Sequence, residues 1–302
     1  MPGAKMHDDE LDVDGPLVRR LIAGQFPEWA GLAVTGIASA GTDHAMFRLG
    51  DNLVVRLPRR PGTAGQVAKE QHWLPRLAPA LPLAVPVPLG LGAPAPGYGH
   101  PWSVLRWLAG RDAHTAPIAE LGSAAVELGR FVAALRKADA TGGPVSWRGG
   151  PVAANDRYVR AAIRDLGAAC TVDPAAATAL WEEVVRLPQW DGEPVWLHGD
   201  LLPGNLLTEA GRLTAVIDFG GLGVGDPAAD TLAAWAVLTA GTRGLFREAS
   251  GTDATTWARG RGWALCFGLM AEHYYRRTNP VLAAVAHRTT TEALADHATG
   301  GA

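Results

Sequence analysis

Cysteine is nearly missing from this chain of 302 residues. Cys170 and Cys266 are its two, and neither stands in a C-x-x-C or beside a histidine at metal-ligand spacing. A disulfide framework and a zinc site are therefore excluded, and two buried thiols are expected. Long apolar runs are missing too: stretches such as residues 232–240 fall far short of the roughly 20 residues needed to cross a bilayer, so no membrane partner is expected. Nor does one sign of charge prevail. Thirty acids against 27 bases leave a net charge of −3 with no long single-sign run, which argues against a nucleic-acid partner. The first fifteen residues carry Asp8, Asp9, Glu10, Asp12 and Asp14 and no apolar block, so a secretory signal is not expected and a cytoplasmic location is. What the chain does have is material for buried cores, 48% hydrophobic residues against 19% charged, which excludes disorder as the main state. Its length corresponds to about two domains.

Along the chain, Asp14 and Pro16 open a helix whose Leu17, Val18, Leu21, Ile22 and Phe26 share one face, expected to run to about Trp29. Residues 32–57 then break into short apolar runs separated by Gly, Asp, Asn and Ser, the pattern of three antiparallel strands. Val67, Glu70, Leu74 and Leu77 recur at helical spacing, which puts the Glu70 carboxylate on an inward face. Residues 83–91, crowded with Pro and Gly, suit an edge strand or extended loop, and residues 102–108 read as another strand. Beyond Gly110 the chain turns helical: one stripe over Leu121, Ala125, Leu128, Val132 and Leu135, two helices in residues 152–187 broken at Asp173-Pro174, and further helices at 230–240 and 256–277. Only short strands, at 195–197 and 213–219, interrupt them. The fold class is therefore α+β, with an N-terminal lobe over residues 1–108 and a mostly helical C-terminal lobe over 109–302.

The chemistry is concentrated at His198-Gly199-Asp200-Leu201 with Asn205, followed by Ile217-Asp218-Phe219-Gly220. These form H-x-D-L-x-x-x-N and D-F-G, the catalytic-loop and metal-binding signatures of the kinase fold. Six specified residues at these spacings arise by chance in roughly one such chain in 10⁴. Phosphoryl transfer needs a carboxylate to take the proton of an attacking hydroxyl, and Asp200 supplies it. Asn205 and Asp218 offer hard oxygens to Mg²⁺. His198 reads as a strut for the loop. Upstream, Ser39, Gly41 and Thr42 lie in a turn whose N–H groups can lie over phosphates. Arg56 on the third strand is the expected phosphate grip, and Glu70, which cannot stay unpaired on an apolar face, is its expected partner. Arg106, Trp107 and Leu108 stand where an adenine would be bound, with Leu207 and Ile217 beneath its ring.

Together these residues, with Gly225-Asp226-Pro227 and Asp230, resemble the aminoglycoside phosphotransferase family over nearly the whole chain. The resemblance implies a bilobal protein-kinase-like fold with an antiparallel-sheet N-lobe, ATP or GTP with Mg²⁺ as cofactors, and a small hydroxylated acceptor, a cationic one being the favoured case. It implies that Asp200 is the catalytic base, that Asn205 and Asp218 bind magnesium, and that Asp226 and Asp230 are structural, tying the segment after the metal strand to the catalytic loop. Only five residues separate Gly220 from Asp226, too few for the activation segment that docks a polypeptide. Arg56 departs from the pattern, since the better-known members carry Lys there and Arg is longer, planar and permanently charged. That departure keeps a second reading open, a nucleotide-binding protein without transfer, besides a kinase of an ordinary metabolite and a metal-dependent hydrolase using His198, Asp200 and Asp218. Glu272, beside Tyr274 and Tyr275, and Asp156 or Asp165 are the candidates for binding a cationic acceptor, although each is read first as a solvated helix face. Dinucleotide and Walker motifs are excluded, because Asp226 occupies the last glycine position of the former and no G-x-x-x-x-G-K-[ST] exists.

Overall fold

The computed structural model describes residues 11–37 and 43–300. The chain divides into two compact units, Met1–Pro79 with Ala84–Ala109, and Ala80–Leu83 with Gly110–Ala302.

The first unit opens with α1 (Gly15–Gln25), whose N-terminus Asp14 caps by accepting from the Leu17 N–H at 2.8 Å. The helix stops four residues short of the expected end. Phe26 precedes Pro27, and the clash of a proline ring with a helical predecessor drives Phe26 to φ −136°, ψ 71°. Five strands follow, β1 (Val34–Ile37), β2 (His44–Leu49), β3 (Leu53–Pro58), β4 (Pro88–Gly92) and β5 (Trp102–Arg106), in the order β1-β2-β3-β5-β4, every pair antiparallel. The proline-rich segment thus supplies an edge strand, shorter than residues 83–91, where a missing N–H does least harm. Between β3 and β4 lies α2 (Ala64–Leu77). Alternate residues of the sheet serve its two faces. Ala45, Phe47, Leu49, Val55, Leu57 and Val104 pack with α1 into one core. The opposite parity carries Arg56 and Ser103, which reach Glu70 and Gln71 of α2.

The second unit contains two small antiparallel sheets. Strands β6 (Arg111–Asp112), β8 (Leu206–Glu209) and β9 (Arg212–Val216) make one, and β7 (Val195–Leu197) pairs with β10 (Gly223–Gly225) in the other. Around them stand α3 (Leu121–Lys137), α4 (Asp156–Ala168), α5 (Pro174–Arg186), α8 (Ala240–Ser250), α9 (Ala254–Tyr275) and α10 (Pro280–Ala298). The helix expected at 230–240 is instead two single turns, α6 (Ala228–Thr231) and α7 (Ala233–Ala236). Thr239 and Thr242 then start α8 with a reciprocal cap. Fifteen of the 22 residues of α9 are buried, so it is covered on most sides and sits at the centre of the unit against α4, α5, α6 and α10. Of the two thiols expected inside, Cys266 on α9 is buried but Cys170 is exposed. It sits just past the end of α4 with φ 56°, where the chain turns toward α5. Among the described residues no helix is long and apolar enough to cross a membrane.

Candidate active site

The catalytic-loop residues follow β7 directly. The Asp230 carboxylate accepts from the N–H groups of His198 (2.8 Å) and Gly199 (2.7 Å), holding the loop by its backbone. Gly199 has φ +79°, and a Cβ there would stand 2.8 Å from the Gly221 carbonyl oxygen, so both conformation and space require glycine. His198 is fully buried. Its Nδ1 accepts from the Asp200 N–H at 3.1 Å, which leaves Nε2 as the protonated nitrogen that donates to the Ile217 carbonyl at 3.0 Å. The imidazole thus bridges the loop to the end of β9, the strut expected of it. Asp226 is structural as implied, but its carboxylate pairs with Arg259 of α9 at 2.9 and 3.2 Å rather than with the catalytic loop.

Asp200 is held on both oxygens. Its Oδ1 accepts from Arg148 Nη1 at 2.7 Å and its Oδ2 from Asn205 Nδ2 at 2.9 Å. The Asn205 amide also donates to the Asp200 carbonyl at 2.8 Å. Both of these partners are acceptors, so the amide NH₂ must face Asp200 and the amide oxygen must face away. The Asn205 carbonyl in turn accepts from the Ile217 N–H at 2.9 Å, which ties it to the residue before Asp218. Asp218 has φ 60°, ψ 73°, a left-handed conformation that a non-glycine residue adopts at some cost, and its Oδ1 accepts from the Gly220 N–H at 3.3 Å. Leu207 on β8 is buried and Ile217 after β9 is half-buried.

In the first unit, Arg56 Nη1 lies 2.6 Å and 2.7 Å from the two Glu70 oxygens, and both residues are buried. Arg106 is exposed at the end of β5 and gives its N–H to the Val87 carbonyl, while Trp107 gives its N–H to Asn52. Those two N–H groups are therefore spent inside the unit. The Trp107 ring is covered by the Arg48 guanidinium, 3.9 Å from its centroid. Ser39, Gly41 and Thr42 lie outside the described residues. The three acids read as solvated helix faces differ. Glu272 is buried against His287 (3.2 Å), Asp156 takes hydrogen bonds from Arg160 and from the Trp181 indole, both at 2.8 Å, and Asp165 pairs with His273 at 2.9 Å.

The profile of the phosphotransferase enzyme family matches residues 34–263, a stretch that contains Arg56, Glu70, Asp200, Asn205 and Asp218. The chain belongs to that family. No curated protein matches the sequence. Among solved structures, this phosphotransferase is similar to a point variant of aminoglycoside 2'-phosphotransferase-IIIa in complex with GDP (19% identity over 96% of this chain and 100% of that one, TM-score 0.74). It is similar also to the GDP and kanamycin complex of APH(2")-IIIa (18%, 92% and 98%, TM-score 0.70) and to the macrolide 2'-phosphotransferase of Brachybacterium faecium (24%, 91% and 97%, TM-score 0.59). These likenesses show a kinase-like fold, and the family makes the protein a small-molecule phosphotransferase.

The donor set of the phosphotransferase suits a hard cation. Among the described residues no group of three or more His, Cys, Asp and Glu forms a cage. Asn205 and Asp218 offer two hard oxygens, the number Mg²⁺ draws from protein when phosphates and water complete its shell. Arg148 is the site residue that sequence reasoning missed. It stands 52 positions before Asp200 in the connection from α3 to α4, and no spacing rule links the two. On α9 nearby, burial pushes the Cys266 thiol up to about 12 against the opposing pull of the Arg148 charge, so it stays protonated.

Proposed function

We propose that this phosphotransferase moves the γ-phosphate of ATP or GTP, with Mg²⁺, onto a hydroxyl of a small antibiotic-like molecule, aminoglycosides first. The observation that carries the reading is the pairing of Asp200 and Asn205: a carboxylate oriented at both oxygens, beside an amide whose oxygen is turned outward by the same hydrogen bonds. Each Asp200 oxygen keeps a lone pair beyond the one already engaged. One of them accepts the proton of the acceptor hydroxyl as its oxygen bonds to the γ-phosphorus and the bond to the β-phosphate oxygen breaks, leaving the nucleoside diphosphate. Asn205 and Asp218 hold the cation, which when bound neutralises charge on the phosphate oxygens. Arg56, steadied by Glu70, grips phosphate. In this reading residues 1–108 form the nucleotide lobe, where Arg106, Trp107 and Leu108 meet the base, and residues 109–302 carry the catalytic loop, Leu207 and Ile217, and helices that receive the acceptor. The complexes of similar proteins with GDP, ADP, kanamycin, gentamicin and streptomycin support nucleotide use and a polyhydroxylated acceptor.

The test is nucleotide consumption with Mg²⁺ and ATP or GTP across aminoglycosides, macrolides and simple hydroxylated metabolites. Asp200→Ala is expected to lower kcat by about 10³-fold, within the range of a lost general base, while nucleotide affinity stays within about twofold. Undiminished transfer by Asp200→Ala would sink the assignment.

A further inference from the structure

We infer that Arg148 is a positioning residue for the general base, a part of the reaction machinery that the catalytic-loop motif does not encode; this rests on the proposed role of Asp200. Arg148 Nη1 donates at once to the Gly199 carbonyl (2.6 Å) and to Asp200 Oδ1 (2.7 Å), so one nitrogen fixes the peptide before the base and the carboxylate of the base itself. The Arg148 side chain is 10% exposed and that of Asp200 27%, so the cation lies behind the carboxylate and leaves the open side to substrate.

The mounting of Arg148 shows that this contact is built rather than incidental. Its segment runs beside β10: the Ser146 N–H donates to the Val224 carbonyl (3.0 Å), the Val224 N–H to the Pro144 carbonyl (2.7 Å), and the Asp226 N–H to the Gly149 carbonyl (2.9 Å). The Ser146 hydroxyl adds a bond to the Gly221 carbonyl at 2.9 Å, and the guanidinium lies over the ring of Trp147 at 4.4 Å and 5.4 Å from that of Phe267. A planar fork that packs on aromatic rings while one of its nitrogens serves two acceptors keeps little freedom, so the direction it imposes on Asp200 is fixed before substrate arrives. Asn205 holds the other oxygen. With two donors on opposite oxygens the carboxylate cannot swing about its Cβ–Cγ bond. Remove Arg148 and only Asn205 is left to orient the base, and its amide must at the same time keep its oxygen turned outward.

The experiment compares Arg148→Met, Arg148→Lys and Asp200→Ala in the full chain, by steady-state kinetics on the best acceptor of the panel above and by crystal structures with Mg²⁺ and a non-hydrolysable nucleotide. Arg148→Met is expected to lose about 10²-fold in kcat, the scale of a misplaced catalytic group, with both KM values within about twofold. In its crystals Asp200 turns away from the position set by two donors. Arg148→Lys, which keeps a donor and a charge but not the fork, is expected to recover about tenfold of the loss. An Asp200 side chain unmoved in Arg148→Met overturns the inference, as does a kcat within twofold of the parent. Should Arg148→Met not fold, Arg148→Lys decides by the same two readings. Full transfer by Asp200→Ala would instead overturn the role of Asp200, and the crystal comparison, which needs no acceptor, still decides whether Arg148 holds it.

Discussion

Asp218 combines a carboxylate that the chemistry needs with a backbone conformation that most residues resist. Asn tolerates the left-handed region as well as Asp does, so Asp218→Asn separates the two properties. It is expected to melt within about 2 °C of the parent, a shift of roughly 1 kcal/mol for a chain of this size, and to lose transfer by at least about 10²-fold. Calorimetry beside the kinetic assay reads both. Glu70 behaves oppositely, because there the pairing itself is the structure. Its carboxylate is buried against Arg56 with bonds to both oxygens. Removing one partner of a buried ion pair is strongly destabilising, so Glu70→Ala is expected to cost about 3–5 kcal/mol, measured by urea unfolding. The Arg56–Glu70 pair followed from residue types alone, since an acid on an apolar helix face demands a cation. Arg148 did not, because its tie to Asp200 spans 52 positions and rests on the path of an irregular connection.

Elements were legible where one local rule dominated. The strands of the first unit follow from runs of Val, Leu and Phe parted by turn residues, and α2 from its period. The misjudged boundaries have local causes: Pro27 ends α1 early, and the stretch Ala228–Ala236 breaks into single turns where Thr231 bonds back to the Ala228 carbonyl at 2.7 Å. Central α9 carries little periodicity, since a helix buried on most sides reveals no single apolar face. Its start is set by Asp253, whose carboxylate accepts from the Thr255 and Thr256 N–H groups, each at 2.9 Å. Burial pulls this carboxyl upward, but the bonds from Thr256 and Thr255 and the Arg259 charge together outweigh it and hold it below the usual range. A group depressed in the folded state contributes stability above its unfolded pKa of about 4 and loses it as pH falls further. Asp253→Ala is therefore expected to cost about 1 kcal/mol at pH 7, and the gap to the parent should narrow progressively as pH falls below about 4 in paired denaturation curves. Farther along α9, a Cβ on Gly268 would fall 2.2 Å from Thr290 Oγ1 and 2.8 Å from the Ala286 carbonyl of α10. Gly268→Ala should accordingly destabilise by about 2 kcal/mol through overpacking.

For the whole molecule, composition excluded more than it specified. The absence of metal-spaced cysteines, of bilayer-length runs and of a dominant charge removed several function classes, and a motif of six residues then pointed to one. The acceptor stays the least legible part, because Glu272, Asp156 and Asp165 are each engaged by neighbours within the unit. Nucleotide binding should be visible as stabilisation of the entire chain. At free ligand about 100 times its dissociation constant, ATP or GTP with Mg²⁺ is expected to add about 2.7 kcal/mol. Chelation of the metal, or Asp218→Asn, should remove much of the accompanying rise in Tm.

The bond from Asp230 to the backbone of His198 and Gly199 also bears on how the protein is made. The residues that read as a catalytic loop leave the synthetic machinery 32 and 31 positions before the carboxylate that anchors them. At about 5–20 residues per second this is a delay of roughly 2 to 6 s. During that interval a nascent chain carries the His-Gly-Asp motif without the loop, and a chain halted short of Asp230 would carry it permanently so.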